Sequence, residues 1–209
     1  MKKIWELIEL KLKEIAPDIL NDLNSGVSDE EIADLEKTIN VKLPDDFIAF
    51  YKVHNGQKGD SGGFFRCEEW LSFERIKGEW GIWKGLLDSG TFQEEDEAFY
   101  SDPDYGIKED WWNASWIPIT YDGAGNHYCI DLDPAEGGIS GQIIRMWHDS
   151  DERTLEANSF TEWVTKYKDD LINGKLIYSE EFYGITYNDD DSYDYDDEDS
   201  DEETNDDDR

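Results

Sequence analysis

The side chains in this sequence that could carry chemistry are three histidines, two cysteines and a dense population of carboxylates. His127 and His148 fall on neighbouring predicted strands with Asp residues close by, a grouping that general acid–base catalysis uses. With 53 Asp plus Glu in the chain, however, such neighbours arise by chance. Cys129 alternates within a predicted strand, and a thiol there becomes a nucleophile only beside a positioned base. Neither Cys67 nor Cys129 belongs to a C-x-x-C pair, which argues against a zinc site. The stretch "YDGAGNHY" lacks the Gly-Lys-Ser/Thr ending of a phosphate loop and joins two β-like runs instead of opening a helix. "DLDPAEGG" lacks the twelve-residue spacing of a calcium loop. No catalytic residue, metal or cofactor is therefore assigned. An enzyme acting through His127, His148 and nearby Asp residues stands only as a competing class.

The elements that would position these groups can be read from periodicity and end signals. Residues 3–23 form an amphipathic helix, with Ile4, Leu7, Ile8, Leu12 and Ile15 at helical spacing and Pro17 dividing it. Ser28 and Glu31 make a capping box before the apolar stripe Ile32, Leu35 and Ile39. Pro44 suits the first turn of a second helix, in which Phe47, Phe50, Tyr51 and His54 share a face before Asn55-Gly56 closes it. "GGFFRC" and "WLSFERI" read as short strands, and "EWGIWKGLLDS" as a possible helix. Residues 88–115 are acidic and irregular. "WIPITY", "DGAGN" and "HYCIDLDP" give a hairpin with Tyr128, Ile130 and Leu132 on one face and His127, Cys129, Asp131 and Asp133 on the other. "QIIRMWH" makes a third strand. "SFTEWVTKYKDDLING", capped by Ser159 and Glu162, closes the regular part as a helix. From Asn188 onward the sequence is almost all acid, with little to bury, and reads as a disordered tail.

The formal net charge of the 209 residues is −34. Residues 189–209 hold fourteen acids and one arginine, a net −13, which leaves −21 on the rest. Such a surface repels nucleic-acid phosphates and anionic membranes and attracts basic proteins. The aromatic content of 14% supplies enough large side chains for a sizeable core. Glu and Lys interrupt the apolar residues of the N-terminus, so it does not read as a signal peptide. No apolar run approaches the ~20 residues that span a bilayer. These features imply a cytoplasmic protein with free thiols.

"EEIADLE" followed by "LPDDFIAFYKVHNG", then "WIPITYDGAGNHYCIDLDP", "GISGQII" and "SFTEWV", in this order over Gly26 to Leu171, resembles the SUKH superfamily. That group includes fungal cell-wall synthesis regulators and bacterial immunity proteins. The resemblance implies an α+β domain whose central, mostly antiparallel sheet carries packed helices, and it supplies no shared catalytic residues. Read along the chain, the organisation is a helical segment at 1–25 packed on the domain, a SUKH-like domain at 26–187 with an acidic insertion near 88–115, and the tail at 188–209, the insertion and the tail being departures from the family pattern. In function it points first to an immunity protein that occupies the basic surface of a cognate toxin, with a cell-wall regulator or scaffold as the alternative. The expected partner is a basic protein domain, with neither nucleic acid nor membrane. Candidate contact residues are Asp122, Asn126, Asp131, Asp149, Asp151 and Glu152 near the hairpin, read as exposed, and Glu94, Glu95, Asp96 and Glu97 in the insertion.

Overall fold

The structure, a computed structural model, describes residues 1–94 and 97–188, with backbone only at residues 94, 97 and 98. Glu95, Asp96 and the acidic tail beyond Asn188 lie outside the described residues. Pro17 divides the N-terminal helix as expected, into α1 (Lys2–Ile15) and α2 (Pro17–Asp22). The capping box opens α3 (Asp29–Ile39): Ser28 Oγ accepts from Glu31 N at 3.1 Å, and the Glu31 carboxylate accepts from Ser28 N at 2.8 Å. In α4 (Asp45–Tyr51), Pro44 occupies the N-cap rather than the first turn. The helix stops at Tyr51, so His54 lies beyond it, and Gly56 makes the left-handed turn at φ 64°.

The next segment departs from expectation. "GGFFRC" is a tight reversal, because Arg66 and Cys67 adopt left-handed φ values of 47° and 65°. Gly63 sits so close to this turn that a Cβ there would lie 2.1 Å from the Cys67 carbonyl carbon. Strand β1 is only Glu69–Trp70 and reaches just the first residue of "WLSFERI", and α5 (Phe73–Asp88) begins at Phe73 under the Ser72 hydroxyl, which accepts from Arg75 N.

Seven short strands follow: β2 (Gln93–Glu94), β3 (Glu97–Ala98), β4 (Asp102–Pro103), β5 (Trp116–Pro118), β6 (Thr120–Tyr121), β7 (His127–Asp131) and β8 (Gln142–Met146). A further strand, β9 (Glu152–Ala157), precedes α6 (Phe160–Ile172), and a hairpin of β10 (Leu176–Ser179) and β11 (Gly184–Tyr187) comes after it. The five-stranded sheet has the order β4-β9-β8-β7-β5, antiparallel except at the β4–β9 edge, so the expected α+β class holds. Strand β9 and the β10–β11 hairpin have no counterpart in the sequence reading.

Every residue of β7 and β8 is buried, which the alternating pattern did not imply. The reason is that both faces of the sheet are covered. On one face Tyr128, Ile130 and Ile143 join the main core with Leu12, Leu35, Phe47, Phe50, Trp70 and Val164. On the other, Cys129, Ile144 and Met146 pack against Trp83 of α5 and Phe92, Ile107 and Trp112 of the insertion. Arg153, with no exposed surface, fastens that insertion to β9 by donating to the Trp111 carbonyl at 2.7 Å. Burial pulls its guanidinium down to about 10. Residues 1–25 are part of the main core as well: Trp5 stacks on Phe50 with ring centroids 4.4 Å apart and donates its Nε1–H to the Phe50 carbonyl at 3.0 Å.

Candidate protein-binding face

The β6–β7 turn is built by one carboxylate. Asp122 Oδ1 accepts from the backbone N–H groups of Ala124, Gly125 and Asn126, and Oδ2 accepts from Asn126 Nδ2 at 2.6 Å. Burial pushes the Asp122 carboxyl up, but these donors outweigh it and hold the group below the usual carboxylate range. Asn126 Oδ1 in turn accepts from the His148 backbone N–H at 2.8 Å, tying this turn to the one between β8 and β9.

The candidate contact residues therefore separate into groups. Asp149, Asp151 and Glu152 are exposed in and beside the β8–β9 turn, next to the half-buried Asp122. Asn126 and Asp131 are not exposed, which corrects the reading of them as surface groups. Asn126 is an internal tie, and Asp131, with no accessible surface, accepts from Gln142 Nε2 at 2.8 Å and from Asp133 N at 2.9 Å. Burial raises the Asp131 carboxyl above its ordinary value. Glu94 and Glu97 lie on the paired strands β2 and β3, about 50 residues along the chain from the β8–β9 turn.

The groups read as conceivably reactive are engaged internally. His127 is fully buried, with Nδ1 2.6 Å from the Thr120 carbonyl and Nε2 3.1 Å from Trp83 Nε1. A carbonyl only accepts and an indole N–H only donates, so the imidazole is neutral with its proton on Nδ1. Burial is the largest influence and lowers its pKa to about 4 against the opposing Thr120 bond. The sign follows directly: the unfolded chain takes up this proton near pH 6.5 and the folded chain does not until about 4. Stability from His127 is thus complete above 6.5 and lost as pH falls toward 4, by about 3 kcal/mol. Urea unfolding between pH 7 and 5 is expected to show about 2 kcal/mol of this loss, with the His127 ring still in its neutral Nδ1–H form by NMR at pH 5.5. Cys129, also buried, has its thiol pushed up by desolvation. Among the described residues no group of three or more His, Cys, Asp or Glu is placed to hold a metal ion. No helix among them is long and apolar enough to cross a membrane.

Three recesses follow one another along the surface beside these turns. The first, about 310 Å³, is mainly apolar and lies between Ile82, Trp83, Leu86 and Phe92 and the turn residues Ala124 and His148. The second, about 350 Å³, shares Tyr121 with it and reaches the exposed Phe182 and Tyr183 at the β10–β11 tip. The third, about 640 Å³, lies across Tyr183 and Ser61, toward α2. Neither aromatic tip residue was singled out from sequence. The signal available was the "YSEEFYG" run, in which two adjacent acids are followed by two adjacent aromatics and a glycine, with no helical face.

The segment 26–166 matches the family model described as the SMI1 / KNR4 family (SUKH-1). The chain is 24% identical to the "Glucan synthesis regulatory protein" of Neurospora crassa over 209 residues, 85% of this chain and 39% of that protein. It is 26% identical to the "Cell wall biosynthesis/cell cycle regulator smi1" of Schizosaccharomyces pombe, covering 85% of this chain and 37% of that one. It is also 26% identical to "F-box only protein 3" of Bos taurus, over 83% of this chain and 35% of the relative. The chain thus spans less than half the length of these curated relatives. The expectation of a toxin-neutralising immunity protein is corrected by these matches, because the fungal relatives are named as regulators of wall synthesis. With two thirds of its length matched by the model, the chain belongs to the SMI1/KNR4 family (SUKH-1).

Proposed function

We propose that this chain is a non-catalytic regulatory module of cell-wall synthesis that works in the cytoplasm by binding other proteins. The observation that carries the reading is the alignment of 85% of the chain with proteins named as wall-synthesis regulators. The occupied state of His127, Cys129 and Asp131 supports a role without chemistry of its own, since each is committed to holding the sheet together. The surface charge favours protein partners over nucleic acid or anionic membrane.

The test is removal of the gene from its source organism, followed by measurement of wall polymer incorporation and of growth under a wall-binding dye. Altered incorporation and altered dye tolerance are expected, both restored by the wild-type chain and by a His148→Ala variant. Unchanged incorporation and tolerance in the deletion strain would count against the regulatory role. Failure of His148→Ala to restore them, with the protein present at normal levels, would point back to catalysis.

A further inference from the structure

We infer that the third and largest of these recesses, between α2, the 58–62 loop and the β10–β11 tip, docks a lysine- and arginine-rich segment of a protein partner. The inference rests on the regulatory-binding reading and adds the chemistry of what is bound and where. The cleft has about 640 Å³, inside the range of roughly 300–1,000 Å³ typical of ligand sites. Its floor is apolar, made by Ile15, Ala16, Pro17 and Ile19, and one wall carries Tyr178 and Tyr183. Tyr183 is 58% exposed, so its ring face is open to a partner.

Three carboxylates rim this apolar and aromatic space: Asp18 from α2, Asp60 from the loop and Glu180 from the hairpin. Some exposed acids elsewhere, such as Glu14, Asp29 and Asp88, have lysine partners, while others, such as Asp151 and Glu152, stand without one among the described residues. Asp18, Asp60 and Glu180 have none among the described residues, nor any hydrogen bond to their carboxylates. The cation on the lining, Lys58, is engaged there by the Asn21 carbonyl, to which its Nζ donates at 2.7 Å. Burial first, then the neighbouring Glu180, Tyr183 and Asp18, raises the Tyr178 phenol above its ordinary value.

A lysine or arginine side chain matches each part of this lining. Its aliphatic stem covers apolar floor, its head lies over a tyrosine face, and its N–H groups reach carboxylates. The walls are also preset, which lowers the ordering cost of binding. Buried Asp22 holds the loop by accepting from Gly59 N, Asp60 N and Ser61 Oγ. The hairpin is clamped by Gly63 N donating to the Tyr183 carbonyl at 3.0 Å and by Ile185 N donating to the Gly63 carbonyl at 2.9 Å. Two of the three walls come from outside the family-matched segment 26–166.

The test uses the full chain and a fluorescein-labelled nonapeptide alternating Lys, Arg and Gly, with a Glu counterpart, read by fluorescence anisotropy. Wild type is expected to bind the basic peptide and not the acidic one. Asp18→Asn/Asp60→Asn/Glu180→Gln is expected to weaken binding about tenfold or more, and Tyr183→Ala several-fold. A control of equal charge change at exposed acids off the cleft, Asp102→Asn/Glu109→Gln/Glu136→Gln, is expected to stay within about twofold. Urea midpoints of all variants are compared with wild type, so that loss of folding is separated from loss of contact. Equal weakening by both triple variants, no weakening by the cleft triple, or displacement by spermine at the same concentration as by unlabelled peptide would each show diffuse attraction and overturn the inference. A failure here leaves the wall phenotype untouched, and a normal wall in the deletion strain leaves the peptide result standing.

Discussion

Replacing Arg145 with Ala is expected to destabilise the fold by about 3–5 kcal/mol, because it leaves a buried carboxylate without its cation. Arg145 Nη1 donates to Glu68 Oε1 at 2.5 Å, and the two side chains are only 5% and 8% exposed. Glu68 Oε2 accepts from Thr120 Oγ1 at 2.6 Å, and the guanidinium lies 4.1 Å from the Trp147 ring centroid and 4.6 Å from that of Tyr128. Removing the arginine takes away the charge partner and two aromatic contacts together. Burial already holds the Glu68 carboxyl above its usual value despite the ion pair. In the variant that pKa rises further. A raised folded pKa gives stability that is present at low pH and lost as pH rises through it, so the deficit shrinks in acid and grows toward neutrality. Arg145→Met with Glu68→Gln is expected to recover most of the loss, since Gln still accepts from Thr120 and no charge is stranded. Urea unfolding of the single and double variants at pH 5 and 7.5 measures this. A single-variant cost below about 1 kcal/mol at both pH values would mean that the pair is solvated.

Trp5→Ala is expected to cost a similar 3–5 kcal/mol, the range for truncating a large buried aromatic. Trp5 is 1% exposed and lies against Phe50, Phe64, Trp70 and His54. The variant loses those contacts and leaves a cavity among side chains held by several elements. Leu10→Ala, at a position 68% exposed on the same helix, is expected to change stability by no more than about 0.5 kcal/mol. Urea midpoints compare the two. Equal, small effects would make the N-terminal helix an appendage instead of a wall of the core.

How far the sequence was legible depended on whether the deciding interaction was local. Helix ends set by neighbours were readable: the Ser28–Glu31 box, the Pro17 break and the Ser159 cap all stand where spacing placed them. The start of α5 was not, because Ser72 caps Arg75 with no Glu or Gln to complete a box. "GGFFRC" has strand-like composition, yet the close approach of Gly63 to Cys67 and of Gly184 to both bends it into a reversal. That approach joins residues about 120 positions apart, which no window of sequence displays. The contact residues fared likewise. Asp131 looks like any acid on an alternating strand, and only its pairing with Gln142 across the sheet takes it out of water. The three recesses need the hairpin tip, α2 and the 58–62 loop side by side, and nothing in any of those segments alone announces it.

Covering the sheet on its second side has an evolutionary corollary. Cys129, Ile144 and Met146 are apolar because Trp83, Phe92, Ile107 and Trp112 roof them. A cousin of this chain that trims residues 88–115 would have to repaint those positions with polar side chains or recruit another molecule as the roof. Insert length and the polarity of three inward-pointing sheet positions should therefore rise and fall together across the lineage.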